Sequence, residues 1–154
     1  MTDIKRPYES IVVASYINHL CDKKAIDVNL TKIQKLLYIA YGICLTLHNE
    51  RLTDEKPKLW PYGPVFPTAI NKFKKDGYID KNSLDIDEKS KEILEYVVNK
   101  YGQYSARILS EWSHEYGSPW QQLVYIGCSW NTEMPDDLIK GYFQTNLYNN
   151  HQIQ

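Results

Sequence analysis

The sequence predicts a mainly α fold: a compact, single-domain helical bundle of about six to seven helices, with an ordered loop rich in proline and aromatic residues after the second helix. Three observations predict it. A chain of 154 residues, 43% hydrophobic and 24% charged, is long enough for one hydrophobic core and far from the composition of a disordered chain. Apolar residues recur in steps of three and four through most of its length, the period of a helix buried on one side. Five of its turn-forming residues, Pro57, Pro61, Gly63, Pro64 and Pro67, fall together in one short stretch. The expected domain covers residues 8–148, between an N-terminal arm of residues 1–7 and a frayed tail of residues 149–154.

Residues 8–24 form the first predicted helix, with Val13, Ile17, Leu20 and Cys21 on one face and Pro7 in its first turn, where a missing N–H costs nothing. The second runs from Thr31, read as its N-cap, to about Asn49. There Ile33, Leu37, Ala40, Cys44 and Leu47 make one stripe, and Leu36, Tyr38, Ile39, Ile43 and Leu45 widen it. A helix apolar on most sides is expected at the centre. The helical period then stops across residues 50–67. Leu59, Trp60, Tyr62, Val65 and Phe66 make that stretch too apolar for a flexible linker.

A third helix is expected from about Thr68 to Gly77, with Ala69, Ile70 and Phe73 inward and Lys72, Lys74 and Lys75 near its C-terminus, where cations complement the helix dipole. A polar connection follows, with a short extended piece at residues 84–86. Residues 87–101 read as a helix with Ile93, Leu94, Val97, Val98 and Tyr101 inward and Gly102 as terminator. Residues 105–114 read as a shorter one, with Ile108, Leu109 and Trp112 on one side. This pair is an ordinary corner rather than a DNA-reading helix-turn-helix, because the second helix sets Arg107 against Glu111 and Glu115 and is not basic. Ser118-Pro119-Trp120 opens a further helical segment ending by Gly127, and residues 135–148 form the last, with Leu138, Ile139, Tyr142, Phe143 and Leu147 inward.

With a net charge of -1, the chain has no overall field to attract a polyanion, so nucleic acid is not an expected partner. The first ten residues lack an apolar core, and no stretch approaches about 18 uncharged apolar residues. A cytoplasmic location without membrane association is expected. Cys21, Cys44 and Cys128 are odd in number and far apart, which fits reduced, buried thiols.

The search for chemistry yields little. His19, His48, His114 and His151 are scattered singly, and the glycines form no phosphate cradle, so neither a metal nor a cofactor is expected. Ser113 and His114 are neighbours, but adjacent helical residues point about 100 degrees apart, so adjacency does not assemble a dyad. The preferred reading is a polar-aromatic corner of Ser113, His114 and Trp120, with His114 bonded to a buried backbone group. No catalytic residue is expected. The distinctive feature is Trp60-Pro61-Tyr62-Gly63-Pro64-Val65-Phe66-Pro67. Its prolines restrict the unfolded chain and Gly63 permits a backbone angle that other residues resist, so Trp60 and Tyr62 are candidates for a rigid recognition anchor. The same spacing is equally that of a plug between helices.

Thr31-Lys32-Ile33-Gln34-Lys35-Leu36-Leu37-Tyr38-Ile39-Ala40-Tyr41-Gly42, followed by Trp60-Pro61-Tyr62-Gly63-Pro64-Val65, resembles the paired signature of the Panacea domain, the domain of SocA-like antitoxins that also occurs in phage-associated proteins. Tyr101-Gly102 to Ala106, and Leu109 through His114 to Pro119-Trp120, resemble that family's C-terminal half. The blocks span most of residues 8–145. The resemblance implies a mostly helical antitoxin that neutralises a toxin encoded beside it by direct protein contact. It also implies a protease as a second partner for any member that acts as an adaptor.

On that footing Trp60, Tyr62, Pro64 and Val65 are the expected partner-binding residues, with Lys72, Lys74 and Lys75 steering toward an acidic patch. Lys35, Leu36, Tyr38, Gly63, His114 and Trp120 are the expected structural positions of the motif. The competing readings are a phage or mobile-element protein that binds a host protein and an enzyme that uses His114.

Overall fold

Every side chain from Lys32 through Leu45 is buried, which requires other elements on all sides of that helix. A computed structural model describes residues 5–146, and in it helix α2 (Leu30–His48) is the central rod. Helices α1 (Ser10–Lys23), α4 (Glu88–Tyr101), α5 (Ala106–Ser113) and α7 (Asp136–Asn146) pack around it. Helix α3 (Pro67–Asp76) leans on α1, and α6 (Pro119–Tyr125) bridges α5 and α7. The described residues thus hold seven helices and one two-stranded antiparallel sheet, β1 (Lys58–Trp60) with β2 (Gly63–Val65). Leu147 and Tyr148, expected in the last helix, and the tail 149–154 lie outside the described residues, as do residues 1–4 of the arm.

Several local expectations are corrected. The N-cap of α2 is Asn29, not Thr31: its side chain accepts from the Lys32 amide at 2.8 Å, leaving Thr31 exposed inside the first turn. Asn and Asp outrank Thr at this position for the same hydrogen bond. Pro7 does not begin α1, which starts at Ser10: Pro7 lies in a bend and Tyr8 is in a backbone bridge. Tyr8 donates its amide to Leu52 at 2.9 Å and accepts from the Asp54 amide at 2.8 Å, in a parallel bridge with Thr53. Residues 84–86 are in no strand, and a 3-10 turn (Lys81–Ser83) precedes them. The loop after α2 contains the hairpin. Periodicity could not reveal it, since three-residue strands are too short to show alternation.

The arm is part of the packing. The Arg6 side chain is 1% exposed, lies 3.2 Å from Glu50 and donates to the Cys44 sulfur at 3.1 Å. Tyr8 donates through its hydroxyl to Asp87 at 2.5 Å and accepts from the Asp87 amide at 2.7 Å. Asp87 also caps α4, accepting from the Ser90 amide and hydroxyl. Burial pushes Tyr8 up to about 12, assisted by its bond to the carboxylate. Burial alone would raise Asp87, but the bonds from Tyr8 and Ser90 outweigh it and hold the carboxyl below its usual range. A buried carboxylate that accepts several hydrogen bonds is stabilised in its charged form. The clip joins the chain's start to α4.

Close approach of α7 to α2 depends on Gly42. A β-carbon there would stand 2.5 Å from the Phe143 ring, and that ring packs edge-on against Tyr38 at 5.6 Å and Trp112 at 6.1 Å. Helix propensity favours Gly42→Ala by about 1 kcal/mol, whereas overpacking costs about 1–3 kcal/mol. Urea unfolding should therefore show a net loss of stability in Gly42→Ala that Phe143→Leu, made on top of it, partly restores. A gain in stability would contradict this packing.

Candidate protein-interaction site

The strand pair β1–β2 turns at Pro61 and Tyr62, with Trp60 opposite Gly63 and Lys58 opposite Val65. Pro61 pre-sets the backbone angle that the first turn position needs. Beyond the turn, Gly63 has φ +114°, and a β-carbon on it would lie 2.6 Å from Ser113 Oγ and 3.0 Å from Lys35 Cε. Glycine is required on both counts.

Hydrogen-bonding groups on the outer edge of β2 are met by side chains of α2 instead of a third strand. Lys35 Nζ donates to the Pro64 carbonyl at 3.0 Å, and Gln34 Oε1 accepts from the Phe66 amide at 2.6 Å. The other edge of the hairpin is closed by backbone: Leu59 donates to the Thr132 carbonyl at 2.9 Å and accepts from the Asn131 amide at 2.7 Å. Buried backbone groups left unpaired would each cost about 1–3 kcal/mol. Lys35 is fully buried, and burial lowers its ammonium to about 7.

Helices α5 and α6 hold the hairpin's tip. Trp120 donates its indole N–H to the Trp60 carbonyl at 2.7 Å, and Trp60 donates its own to Asn131 Oδ1 at 3.0 Å. His114 lies over Trp120, with ring centroids 4.0 Å apart. Burial, then the nearby charge on Lys35, lowers the imidazole, against a hydrogen bond to the Tyr62 backbone that raises it. Ser113 donates to the Ser110 carbonyl at 2.7 Å, and Ser118 donates to the Ser113 carbonyl at 2.9 Å. The Ser113 proton is thus committed to backbone and not to His114, which is no arrangement for a nucleophile and its base. Among the described residues no group of three His, Cys, Asp or Glu side chains is placed to hold a metal ion, and no helix is long and apolar enough to cross a membrane.

The residues expected to meet a partner separate. Tyr62 is 76% exposed and Trp60 half-buried, whereas Pro64 and Val65 are buried, Val65 lying in the wall of a small cleft. Pro64 and Val65 form the inner strand of the hairpin, and the β2 carbonyl that Lys35 needs is Pro64's own. Lys72 is paired with Glu9 at 2.7 Å, so its charge is not free to steer a partner. Lys74 borders a small cleft of about 140 Å³ beside Trp60 and Tyr62, and Lys75 is exposed. Of the motif positions, Leu36 and Tyr38 are core, with Tyr38 packed on Trp112 and Phe143. Lys35, Gly63, His114 and Trp120 converge on the hairpin. Motif and spacing give no reason to single out Gln34, nor the exposed Tyr116, Tyr125, Ile126 and Trp130 around α6. A signal for the second group was present: residues 116–132 contain no Asp, Glu, Lys, Arg or His.

The family model described as "Antitoxin SocA-like, Panacea domain" matches residues 33–121. Antitoxin SocA from Caulobacter vibrioides (strain NA1000 / CB15N) is 30% identical over an alignment covering 80% of this chain and 76% of the relative. No solved structure matches. The matched span contains α3 to α5, the hairpin, and all of the hydrogen bonds just described except those to Asn131 and Thr132.

Two outcomes test this geometry. Gly63→Ala should lower the melting point sharply, and Ser113→Ala in the same chain should recover only the steric part, since the positive φ remains strained by about 1–2 kcal/mol. The unfolded chain keeps Lys35 protonated to about 10.4, while the folded chain releases that proton from about 7 upward. Between those values the unfolded state binds more protons, so stability rises with pH. From pH 7 to 9 the wild type should gain on Lys35→Met by up to about 1.4 kcal/mol per pH unit in urea unfolding. Parallel curves would show that the ammonium is not desolvated.

Proposed function

The chain belongs to the SocA-like antitoxin, Panacea domain family, and from that membership we propose that it is the antitoxin of a toxin–antitoxin pair, neutralising a protein toxin encoded beside it by direct binding. The observation that carries the reading is the family match itself, which takes in the central helix and the hairpin braced on it. Two features of the site support binding over catalysis. Its polar groups are turned inward to hold backbone: Lys35 on Pro64, Gln34 on Phe66, Trp120 on Trp60. Its most exposed side chain, Tyr62, sits at the tip of a braced hairpin, and a pre-ordered aromatic loses little entropy when a partner covers it.

Rescue of growth is the direct test. Expressed alone, the adjacent reading frame should arrest growth, and co-expression of this chain should restore it and yield a co-purifying complex. An arrest that this chain does not relieve would remove the antitoxin role. The half-life of the toxin separates two forms of neutralisation, since a blocked toxin persists and one handed to a protease disappears faster. Tyr62→Ala should keep the helical circular dichroism and melting point and weaken toxin binding by about tenfold or more. Unchanged affinity would take the hairpin tip out of the interface. Trp60 is a poorer choice for this test, because its indole and carbonyl are both used inside the fold.

A further inference from the structure

The cleft of about 140 Å³ between the start of α2, the hairpin and α3 has two lysines in its lining, Lys35 and Lys74, and no Asp or Glu. We propose that it receives the carboxylate of an Asp or Glu side chain presented by the protein toxin, with Gln34 and Lys74 meeting the carboxylate and Lys35 acting on it by charge. This rests on the antitoxin reading above and names the chemistry of one contact within it.

The polar groups of the cleft have hydrogens to donate and their acceptors are already used. Gln34 is only 2% exposed and commits its Oε1 to the Phe66 amide at 2.6 Å. That bond decides which end of the carboxamide is oxygen, so the other end carries two N–H donors. Neither has a partner among the described residues, and the nitrogen is not sealed in the core, so these donors face the cleft that Gln34 lines. Lys74 is exposed on α3 and makes no ion pair among the described residues. The carbonyls of Trp60 and Pro64 are taken by Trp120 and Lys35.

Lys35 is 0% exposed, so it acts through its field and not by contact. Its ammonium has one hydrogen bond, to Pro64, and no ion pair among the described residues, and burial lowers it to about 7. A cation desolvated without a counter-charge is stabilised by a carboxylate brought close to it, since the attraction is weakly screened there. The other titratable side chains around it, Lys74 on α3, His114 at the end of α5 and Tyr62 at the hairpin tip, include no carboxylate. The first turn of α2, which forms one wall, holds no acidic residue and adds the positive end of the helix dipole. Size selects the source of the carboxylate. Pockets for whole small-molecule ligands measure about 300–1,000 Å³, whereas this one has room for a single side chain. Leu30, Val65 and Ile70 in its walls suit a methylene stem, and Tyr62, which also lines it, brings a protein that covers the hairpin tip to its opening.

Propionate titrated into the purified chain should shift the NMR signals of the Gln34 side-chain amide and of the backbone amides around the cleft, saturably. Propionamide, of the same shape and uncharged, should not. Gln34→Glu keeps an oxygen for the Phe66 amide and puts a carboxylate of the chain's own into the cleft. It should hold the melting point at or above that of the wild type, lose the propionate response, and weaken binding of an inactivated toxin, the product of the adjacent reading frame, by about 30-fold or more. Lys74→Glu, at the surface, should slow toxin association, most strongly at low salt. One Asp or Glu of the toxin, changed to Asn or Gln, should weaken binding to the wild type by about tenfold or more and cost the Gln34→Glu chain nothing further. No response to propionate, or an equal response to propionamide, would overturn the site. A normal response to propionate with toxin affinity unchanged in both Gln34→Glu and Lys74→Glu would mark a site for a free carboxylate and overturn the side-chain assignment. Failure of the wild-type chain to bind the toxin would remove the antitoxin reading and the toxin as the source, while the propionate titration still decides the cleft.

Discussion

Two consecutive side chains of the central helix, Gln34 and Lys35, hold the outer edge of β2, the side on which it has no neighbouring strand. A two-stranded sheet is marginal by itself, and its free edge would leave a buried carbonyl and amide without partners. Lys35 on Pro64 and Gln34 on Phe66 supply what a third strand would have supplied. The arrangement costs the desolvation of an ammonium, visible in its lowered proton affinity, and it dictates much around it. Gly63 must lack a side chain so that Lys35 and Ser113 can fit against the turn. Trp60 is then positioned for Trp120 to reach its carbonyl, which fixes α6 against the hairpin.

The 13 tyrosines, ambiguous as composition, divide by what their hydroxyls reach. Tyr8 and Tyr41 place theirs on carboxylates, Asp87 and Asp136, in the body of the fold. These bonds tie segments far apart in the chain and satisfy groups that burial would otherwise strand. Tyr62, Tyr116 and Tyr125 stand almost wholly in solvent. The residue type is the same, and its surroundings decide the use. Basic residues divide similarly: Lys35 is structural, Lys72 is paired, and Lys75 remains at the surface.

How much of this was legible in the sequence follows from the length over which each interaction acts. The α2 helix was legible because its apolar residues repeat over nearly nineteen positions, and α4 and α7 were legible for the same reason. The ends were less so, since Asn29 and Thr31 both suit a cap and only the backbone angles choose between them. The hairpin was hidden because three residues per strand give no period. The meaning of its motif was hidden too: Pro64 and Val65 look like surface anchors in a proline-rich loop and are in fact buried by contacts from a helix about thirty residues earlier. The helical period and local turn chemistry carry no information about such pairings. The uncharged run from Tyr116 to Thr132 was readable all along, but as an absence, which a search for motifs passes over.

The hydrogen bonds that brace the hairpin tip join residues 60 and 71 positions apart, Trp60 with Trp120 and Trp60 with Asn131. During synthesis the central helix and the hairpin leave the ribosome well before α6 exists to hold them. A nascent chain therefore carries the tip without its brace until residue 131 has emerged, and the surface formed by the two uncharged segments, residues 59–71 and 116–132, comes into being only then. A chain cut short before that point would lack the face that stands beside the lysine-pinned strand.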